Sequence, residues 1–259
     1  MLSATFDPHA IATLLDSAAR DRVPVAQLAE HGRALTLPQA YEVQAGLLAL
    51  RTARGERLVG VKMGFTSHAK RVQMKIDDLI WGRLTDLMQV PDEGEVSLGR
   101  FIHPRIEPEL AFLLQRPLRG KVSASEARAA LQAVAPALEI VDSRYRDFRF
   151  SLADVIADNS SAAAFVVGRW QPPRDLTALP IVMSFDGRAV QAGSSAAIMG
   201  DPLESLLAAA RLAGESGVTL EAGWVVMAGG ATAAEPLTAG TRVSVDIAGL
   251  GGATVRVSP

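Results

Sequence analysis

Two glutamates two residues apart occur at the start of an apolar segment, and their spacing suggests a metal site. Glu107 and Glu109 lie in the run RIEPELAFLL, residues 105–114. In a β-strand, side chains two residues apart project from the same face, so these two carboxylates stand side by side. Adjacent carboxylates that face a core repel each other and are costly to desolvate unless a cation lies between them.

A third carboxylate occurs in a similar apolar setting. Glu139 is the only charged residue in the run PALEIV, residues 136–141. Three carboxylates in a chain without cysteine favour a hard divalent cation, Mg²⁺ or Mn²⁺, with water or substrate oxygens completing an octahedron. In the alternative interpretation, Glu107 and Glu109 lie on a solvated strand end and Glu139 pairs with an arginine such as Arg144. The spacing alone leaves both interpretations open.

Lys62 is the single charged residue in the apolar run LVGVKMGF, residues 58–65. A buried lysine often has a shifted pKa and acts as a proton donor or an electrostatic clamp. A lysine at a strand edge instead extends its head group into water, which is the commoner case when nothing else is known.

Two short segments of small and polar residues are further candidates for ligand contact. Residues 158–161 read DNSS, whose hydroxyl and backbone N–H groups are able to bind a carboxylate; the same residues are common in helix caps and turns. Residues 229–232 read GGAT and follow a predicted strand, so the backbone can approach a ligand closely. This segment lacks the spacing and the lysine of a phosphate-binding P-loop.

The first 57 residues are predicted to be helical. Asp7-Pro8 is typical of a helix start, with a capping carboxylate followed by proline at the first helical position. Thr36 and Gln39 form a capping-box pattern before a second helix, and Gly55 is a suitable end for it.

From residue 58 onward the pattern changes to short strands. A helix is predicted to begin after Ser123, with Ala127, Leu131 and Val134 on one stripe, and another begins at Asp201-Pro202. Because the strands do not alternate regularly with helices, a doubly wound sheet or an eight-stranded α/β barrel is disfavoured. We therefore predict an α+β protein with an N-terminal helical region, residues 1–57, and a mixed, barrel-like β core, residues 58–259. The predicted strands cover residues 58–65, 105–114, 136–143, 163–168, a hairpin over 181–193, 224–230, and two strands from 241 to the end.

Composition narrows the functional classes. The 259 residues include no cysteine, which excludes disulfides, thiolate zinc sites and a cysteine nucleophile. The formal net charge of −2 argues against a general nucleic-acid binder. No apolar run of about 18 residues and no secretory leader pattern is present. The expectation is a cytoplasmic protein that binds neither membrane nor nucleic acid.

Five motifs together resemble a known family. The segments KMGFTS, WGRLTDLM, FIHPRIEPELAFLL, VAPALEIVDSRYRDFRFSLADVIADNSS and AGGATAAEPL are similar, in order and spacing, to those of the 4-oxalocrotonate decarboxylases. These enzymes group with the vinylpyruvate hydratases in the fumarylacetoacetate-hydrolase-like superfamily. The long segment ending in DNSS is the most specific of the five.

The resemblance implies a fold and a site. It implies a fumarylacetoacetate-hydrolase-type mixed β-barrel core and assigns Lys62 as the active-site lysine. The implied ligands of Mg²⁺ or Mn²⁺ are Glu107, Glu109 and Glu139. The weaker candidates for substrate contacts are Arg144, Ser160, Ser161 and Thr232.

The implied reaction is decarboxylation of 2-oxo-3-hexenedioate to 2-hydroxypenta-2,4-dienoate and CO₂, in the meta-cleavage degradation of aromatic compounds. The main rival is hydration of that dienoate by the sister enzymes. The resemblance implies that the hydratases have an acidic residue two positions before the glycine that matches Gly82. This chain has Ile80 there, and an isoleucine can neither position nor deprotonate water.

Two further functions are compatible with the sequence. A hydrolase of acylpyruvates would need a water-activating base, and no His/Glu pair has suggestive spacing. A non-catalytic partner subunit of the hydratase would not need Lys62 or the three glutamates. The resemblance also implies a homo-oligomer and a complex with vinylpyruvate hydratase, which would pass the unstable dienol directly from one enzyme to the other.

Overall fold

The structure is a computed structural model that describes residues 6–31, 34–67 and 79–259. Five α-helices and thirteen strands occur in these ranges. The helices are α1 (Pro8–Asp21), α2 (Leu37–Ala53), α3 (Ala124–Ala130), α4 (Leu152–Ala157) and α5 (Pro202–Glu215). The strands are β1 (Leu58–Gly64), β2 (Ile80–Thr85), β3 (Gln89–Val90), β4 (Gly94–Ser97), β5 (Arg105–Leu114), β6 (Leu131–Val141), β7 (Ala162–Val167), β8 (Pro180–Phe185), β9 (Arg188–Ser194), β10 (Val225–Met227), β11 (Glu235–Pro236), β12 (Arg242–Ile247) and β13 (Gly251–Ser258).

The two N-terminal helices begin where the capping residues predict. The Asp7 carboxylate accepts a hydrogen bond from the backbone N–H of Ala10 at the start of α1. Thr36 and Gln39 form the reciprocal capping box of α2. These contacts satisfy backbone N–H groups that have no partner within the first helical turn.

The first sheet carries the predicted site residues. Its strand order is β2-β1-β10-β5-β6-β7-β3, and β11 adds to β5. Lys62 on β1 contacts Glu139 on β6 at 3.0 Å, although two strands lie between them. On a flat sheet these strands would be about 14 Å apart, and side chains perpendicular to it would not meet. The sheet therefore curls, and its concave face gathers residues from distant strands. The predicted α+β fold with a barrel-like sheet is confirmed.

The second sheet has five strands in the order β4-β13-β12-β8-β9. Along β12, Val243, Val245 and Ile247 are buried, and the residues between them are exposed or partly exposed. This alternation is typical of a strand with one buried face. The predicted hairpin is formed by β8 and β9 and turns at Asp186-Gly187, both with positive φ. This sheet and α5 bury the apolar face of the first sheet in one large core.

One predicted helix is shorter than expected. Helix α3 ends at Ala130, and Leu131 and Val134, which we placed on its apolar stripe, belong to β6. Strand β6 pairs with β5 from Val141 back to Leu131. Pro136 disfavours a helix through this segment, and continuous pairing with β5 satisfies its backbone groups instead. Strand β2 was not assigned from the sequence, because all six of its residues are buried and its pattern does not alternate.

The N-terminal helices pack on the core rather than standing apart. Leu15 of α1, Val43 of α2, Ile156 of α4 and Tyr145 share one buried cluster. The division of the chain at residue 57 therefore remains a proposal. In the described part of the chain, no helix is long and apolar enough to cross a membrane.

We predict that Leu15→Ala destabilises the protein by about 3 kcal/mol, because it removes a fully buried side chain and leaves a cavity among α1, α2 and α4. Urea unfolding measures the change in the free energy of unfolding. Leu37→Ala is the matched control, because Leu37 is 45% exposed and its loss should cost less than about 0.5 kcal/mol. Equal losses in the two variants would contradict the assigned packing of α1.

Candidate metal centre

Strand pairing brings the three predicted glutamates together. Glu107 on β5 is the direct antiparallel partner of Glu139 on β6. Glu109 lies two residues along β5 and therefore projects from the same face. Each of the three offers a carboxylate oxygen, and these oxygens all lie within 4.8 Å of one another. All three side chains are buried.

Lys62 completes the cluster. Its Nζ lies 3.0 Å from Glu139 Oε2, and both side chains are almost fully buried. Three carboxylates and one ammonium carry a formal net charge of −2. Among the described residues, no cation besides Lys62 is in ion-pair contact with Glu109 or Glu139.

The carboxylate oxygens have the donor character of a cation site. Glu109 Oε2 accepts a hydrogen bond from the Gly229 N–H at 2.9 Å. In the described structure, Glu109 Oε1 and Glu139 Oε1 have no hydrogen-bond donor, and Glu139 Oε2 has the Lys62 ammonium 3.0 Å away. Buried oxygens without donors are costly, and a divalent cation both coordinates them and cancels the excess charge. The all-oxygen donor set fits Mg²⁺, with Mn²⁺ as the next choice.

Burial and mutual repulsion shift the titration of this cluster. Burial raises the pKa of Glu139 to about 7, against the opposing charge of Lys62. Burial, then Glu139 and Glu107, raise the pKa of Glu109 well above its ordinary value. Burial alone would lower the pKa of Lys62, but the three carboxylates raise it, with Glu139 the strongest. Lys62 is therefore an ammonium at neutral pH in the metal-free protein, and metal-free Glu109 and Glu139 tend to retain protons.

Two glycines in the segment after β10 make room for the glutamates. A Cβ atom on Gly230 would overlap the carboxylate of Glu107. Gly229 has a φ of +101°, and a Cβ there would overlap Thr66. This backbone conformation also aims the Gly229 N–H at Glu109. The GGAT segment therefore approaches the glutamate cluster.

Strand β2 forms the surface beneath Lys62. Gly82 is the register partner of Lys62, and a Cβ on Gly82 would lie 3.2 Å from Lys62 Cδ and 2.6 Å from the Asn159 carbonyl oxygen. Ile80 lies two residues before Gly82, hence on the same face, and its Cγ1 would be 2.8 Å from a Cβ on Gly64. Ile80 therefore places an apolar side chain on the face of β2 that is turned toward Lys62.

The weaker candidates are held by contacts within the protein. Ser160 Oγ donates to the Trp81 carbonyl at 2.9 Å, and Ser161 Oγ donates to Asp158 at 3.2 Å. Residues 159–161 all have positive φ, near +50° to +60°. Such strained backbone is typical of functional sites, and a contact between either serine and substrate remains a prediction.

Arg144 and Thr232 lie in different surroundings. Arg144 forms a buried ion pair with Asp158 and donates to the carbonyls of Asp142, Asp158 and Ala162. The alternative in which Arg144 pairs with Glu139 is therefore wrong, because Glu139 pairs with Lys62. Thr232 is partly exposed, and its hydroxyl donates to the Ala233 carbonyl at 3.1 Å. Their roles as substrate contacts also remain predictions.

Three residues support the backbone of the site, and of these only Asn159 was singled out from the sequence, within the DNSS segment. Gly82 supports Lys62, and Asn159 and Gln44 hold the backbone around it. Gly82 had a usable signal, a glycine in an apolar segment, which often marks close approach of another group. Gln44 had none, because one glutamine in a helix does not reveal which face it occupies.

Comparison with known proteins agrees with this geometry. Residues 57–258 match the family model "Fumarylacetoacetate (FAA) hydrolase C-terminal". A 4-oxalocrotonate decarboxylase from Pseudomonas sp is 54% identical over 93% of this chain and 94% of its own length. A 2-hydroxyhexa-2,4-dienoate hydratase from Comamonas testosteroni is 34% identical over 93% of this chain and 94% of its own length.

A solved structure of such an enzyme is also similar to this chain. The 4-oxalocrotonate decarboxylase from Pseudomonas putida G7, complexed with magnesium and adipate, aligns with a TM-score of 0.93 and 36% sequence identity. The alignment covers 96% of this chain and 97% of that chain. The chain therefore belongs to the fumarylacetoacetate hydrolase family. Within that family it is similar to the 4-oxalocrotonate decarboxylases and, at lower identity, to the dienoate hydratases.

We predict that Gly230→Ala weakens Mg²⁺ binding at least about tenfold while the protein stays folded. The added methyl group displaces the carboxylate of Glu107, which is the far end of a flexible side chain. Isothermal titration calorimetry measures the dissociation constant. Gly99→Ala is the control, because its Cβ would meet only Ser97 Oγ at 3.4 Å. Unchanged affinity in Gly230→Ala would show that Glu107 is not a ligand.

We also predict that Mg²⁺ affinity rises with pH. A carboxylate must lose its proton before it binds a metal, and burial raises the pKa of Glu139 to about 7. Lowering the pH from 8 to 6 should therefore weaken binding roughly tenfold for each displaced proton. Calorimetry at pH 7 in two buffers of different ionisation enthalpy measures proton release. Identical heats in the two buffers would contradict a protonated metal-free cluster.

Proposed function

We propose that this protein catalyses the metal-dependent decarboxylation of 2-oxo-3-hexenedioate to 2-hydroxypenta-2,4-dienoate and CO₂. The observation that carries the proposal is the buried cluster of Glu107, Glu109 and Glu139 beside Lys62, whose oxygens fit a divalent cation. The relative at 54% identity is named for this reaction. The relative of known structure was solved with magnesium and a six-carbon dicarboxylate, adipate.

Decarboxylation requires a group that accepts the electron pair of the bond that breaks. When the C5–C6 bond of the substrate breaks, its electron pair moves through the conjugated carbons to the oxygen on C2, and CO₂ leaves. A proton on that oxygen then gives the 2-hydroxydienoate. A magnesium ion held by the three glutamates would act as a Lewis acid for the negative charge that develops on the C2 oxygen.

Lys62 supplies a fixed positive charge and a proton beside the same oxygen. Without a metal, the three carboxylates raise its pKa against the effect of burial, and an ammonium at this position has a proton to give. An ammonium aimed into a buried site stabilises developing negative charge more strongly than it would in water. Its contact with Glu139 fixes its direction. We assign Lys62 to hold the C2 oxygen and to provide the proton there.

The concave face near the cluster is largely apolar and excludes water. Phe165 is the register partner of Glu139, and Met227 is the parallel partner of Lys62. Both side chains are fully buried. Dry surroundings strengthen the interactions of the metal ligands and of Lys62 with developing charge. They also leave the departing carboxylate weakly bound, which favours its loss over tight ground-state binding.

The position of Ile80 favours decarboxylation over hydration. Its buried side chain lies on the same face of β2 as Gly82, next to Lys62. Hydration requires a group that positions or deprotonates water, and an alkyl side chain at this place does neither. Hydration of the dienoate is the second candidate, because relatives named as hydratases share 34% identity with the chain.

We further propose the assembly that the resemblance implies. A small 2-oxo dicarboxylate is the substrate, and the chain forms a homo-oligomer that associates with a vinylpyruvate hydratase in the cytoplasm. The support is chemical: the dienol product is unstable in water, and the hydratases use it as their substrate. Light scattering of the purified protein, alone and with such a hydratase, measures both associations.

We predict that CO₂ release from 2-oxo-3-hexenedioate is lost when EDTA removes the metal and returns when Mg²⁺ is added. Glu107→Gln should lower kcat at least about 100-fold, because it removes one charged ligand of the cation. The assay follows CO₂ and the absorbance of the dienol. Glu95→Gln is the matched control, because Glu95 is an exposed glutamate on β4 and its loss should leave kcat unchanged.

Other outcomes of this assay would change the assignment. Release that persists in EDTA would contradict a metal-dependent reaction. An enzyme that releases no CO₂ but hydrates the dienoate would be a hydratase. If Glu107→Gln left CO₂ release intact, the glutamate cluster would have no catalytic role.

A further inference from the structure

A buried glutamine from the N-terminal helical region contacts the backbone around the active-site lysine. Gln44 lies on α2 and has no solvent exposure. Its Nε2 donates to the carbonyls of Trp81 and Ile156, at 3.0 and 3.1 Å. Its Oε1 accepts from Nη1 of Arg83 at 2.6 Å. One side-chain amide therefore joins α2, β2 and α4.

The same stretch of β2 is held from a second side by the turn after α4. The Asn159 side chain accepts from the Arg83 N–H at 2.7 Å and donates to the Arg83 carbonyl at 2.9 Å. Ser160 donates to the same Trp81 carbonyl that Gln44 binds. Among the described strands, β2 lies at the edge of the sheet and has a neighbouring strand on one side only. On its other side, these side chains form the hydrogen bonds to the backbone of residues 81–83 that a second neighbouring strand would form.

This stretch is the surface on which Lys62 lies. Gly82, between Trp81 and Arg83, is the register partner of Lys62. Without a Cβ at Gly82, the Asn159 carbonyl and the methylene chain of Lys62 both pack against it. A displacement of Gly82 or of the Asn159 peptide would therefore move the Lys62 side chain. The glutamates are placed differently, by pairing between β5 and β6, which Gln44 does not contact.

The backbone at residues 159 and 160 needs external support. Asn159 and Ser160 both have a φ of +52°, a left-handed conformation that is unfavourable for residues with a side chain. Gln44 binds the end of the preceding helix through Ile156 and the facing strand through Trp81. It therefore fixes the two elements between which this strained turn lies.

We propose that Gln44 is a positioning residue for Lys62. By binding the carbonyls of Trp81 and Ile156, it holds β2 and the turn at residues 159–160 in register, so that the Lys62 ammonium lies at the reacting oxygen. The inference rests on the proposed decarboxylase function. It assigns to the N-terminal helical region a part in catalysis, although that region supplies no metal ligand.

The test is Gln44→Met, which keeps the side-chain length and removes all three hydrogen bonds. We expect kcat to fall by about 10- to 100-fold, the effect of a misplacement near 1 Å. The KM for 2-oxo-3-hexenedioate should change less than threefold. The Mg²⁺ dissociation constant, measured by calorimetry, should change less than twofold, because the ligands lie on β5 and β6.

Gln44→Glu distinguishes the role of the side-chain N–H group from that of the side-chain oxygen. A carboxylate keeps an acceptor for Arg83 but has no N–H for the two carbonyls. If the carbonyl contacts position Lys62, this variant is as slow as Gln44→Met. If Gln44 serves only to satisfy Arg83, Gln44→Glu restores the wild-type kcat and the proposal is overturned.

Gln115→Met controls for a general loss of stability. The Gln115 amide also bridges two carbonyls, those of Ala129 and Leu131, on a part of the chain away from Lys62. All assays are run well below the melting temperature of each variant. A kcat loss in Gln115→Met equal to that in Gln44→Met would overturn the proposal, as would a matching loss of Mg²⁺ affinity in Gln44→Met. Absence of CO₂ release by the wild-type enzyme would instead contradict the proposed function.

Discussion

The structure depends on the electrostatic cost of burying three carboxylates within 4.8 Å of one another. Desolvation and mutual repulsion both oppose ionisation, and they raise the pKa of Glu109 and Glu139. Among these four side chains, Lys62 offsets one of the three negative charges. A divalent cation removes the remainder, so metal binding and the native arrangement of the concave face stabilise each other. Removing a metal ligand therefore changes the protonation of the remaining carboxylates as well as their affinity for the cation.

The surrounding residues are small where the charged side chains need space. Gly230 leaves room for the carboxylate of Glu107, and Gly82 leaves room for the stem of Lys62. Neither glycine touches the metal through a side chain. Their effect is steric, because a single Cβ at either position would fall within contact distance of a charged residue or of the backbone that supports it. Activity at this site therefore depends on residues that contribute no functional group.

The strands that carry charged residues were predictable from the sequence, and their arrangement in space was not. The spacing of Glu107 and Glu109 placed both on one face, and Glu139 was conspicuous within an apolar strand. The resemblance to a family assigned all three to a metal, as the geometry supports. That Glu107 and Glu139 are direct partners follows from the register of β5 and β6. Register depends on long-range pairing, which single-strand patterns do not encode.

Dependence on long-range contacts also explains which sequence predictions were wrong or incomplete. Helix α3 was predicted to continue through Leu131 and Val134, because small and apolar residues at helical spacing satisfy both a helix and a fully buried strand. Strand β2 has no polar face to mark its period. Gln44 was not recognised, and Asn159 was singled out only as part of the DNSS segment, because their partners are backbone groups 37 and 76 residues away.

The three glutamates and the stem of Lys62 are supported by different backbone segments, although the lysine head group contacts Glu139. Pairing between β5 and β6 sets the glutamates, as in any antiparallel ladder. Lys62 lies on β1, and its side chain follows the backbone of β2 and of the turn at residues 159–160. Those segments are fixed by side-chain hydrogen bonds from α2 and from the turn itself. Because the pairing of β5 and β6 uses none of the hydrogen bonds of Gln44 and Asn159, differences in the residues around the lysine need not move the glutamates. The apolar Ile80 lies on the β2 side of the site, where such differences would change which reaction follows.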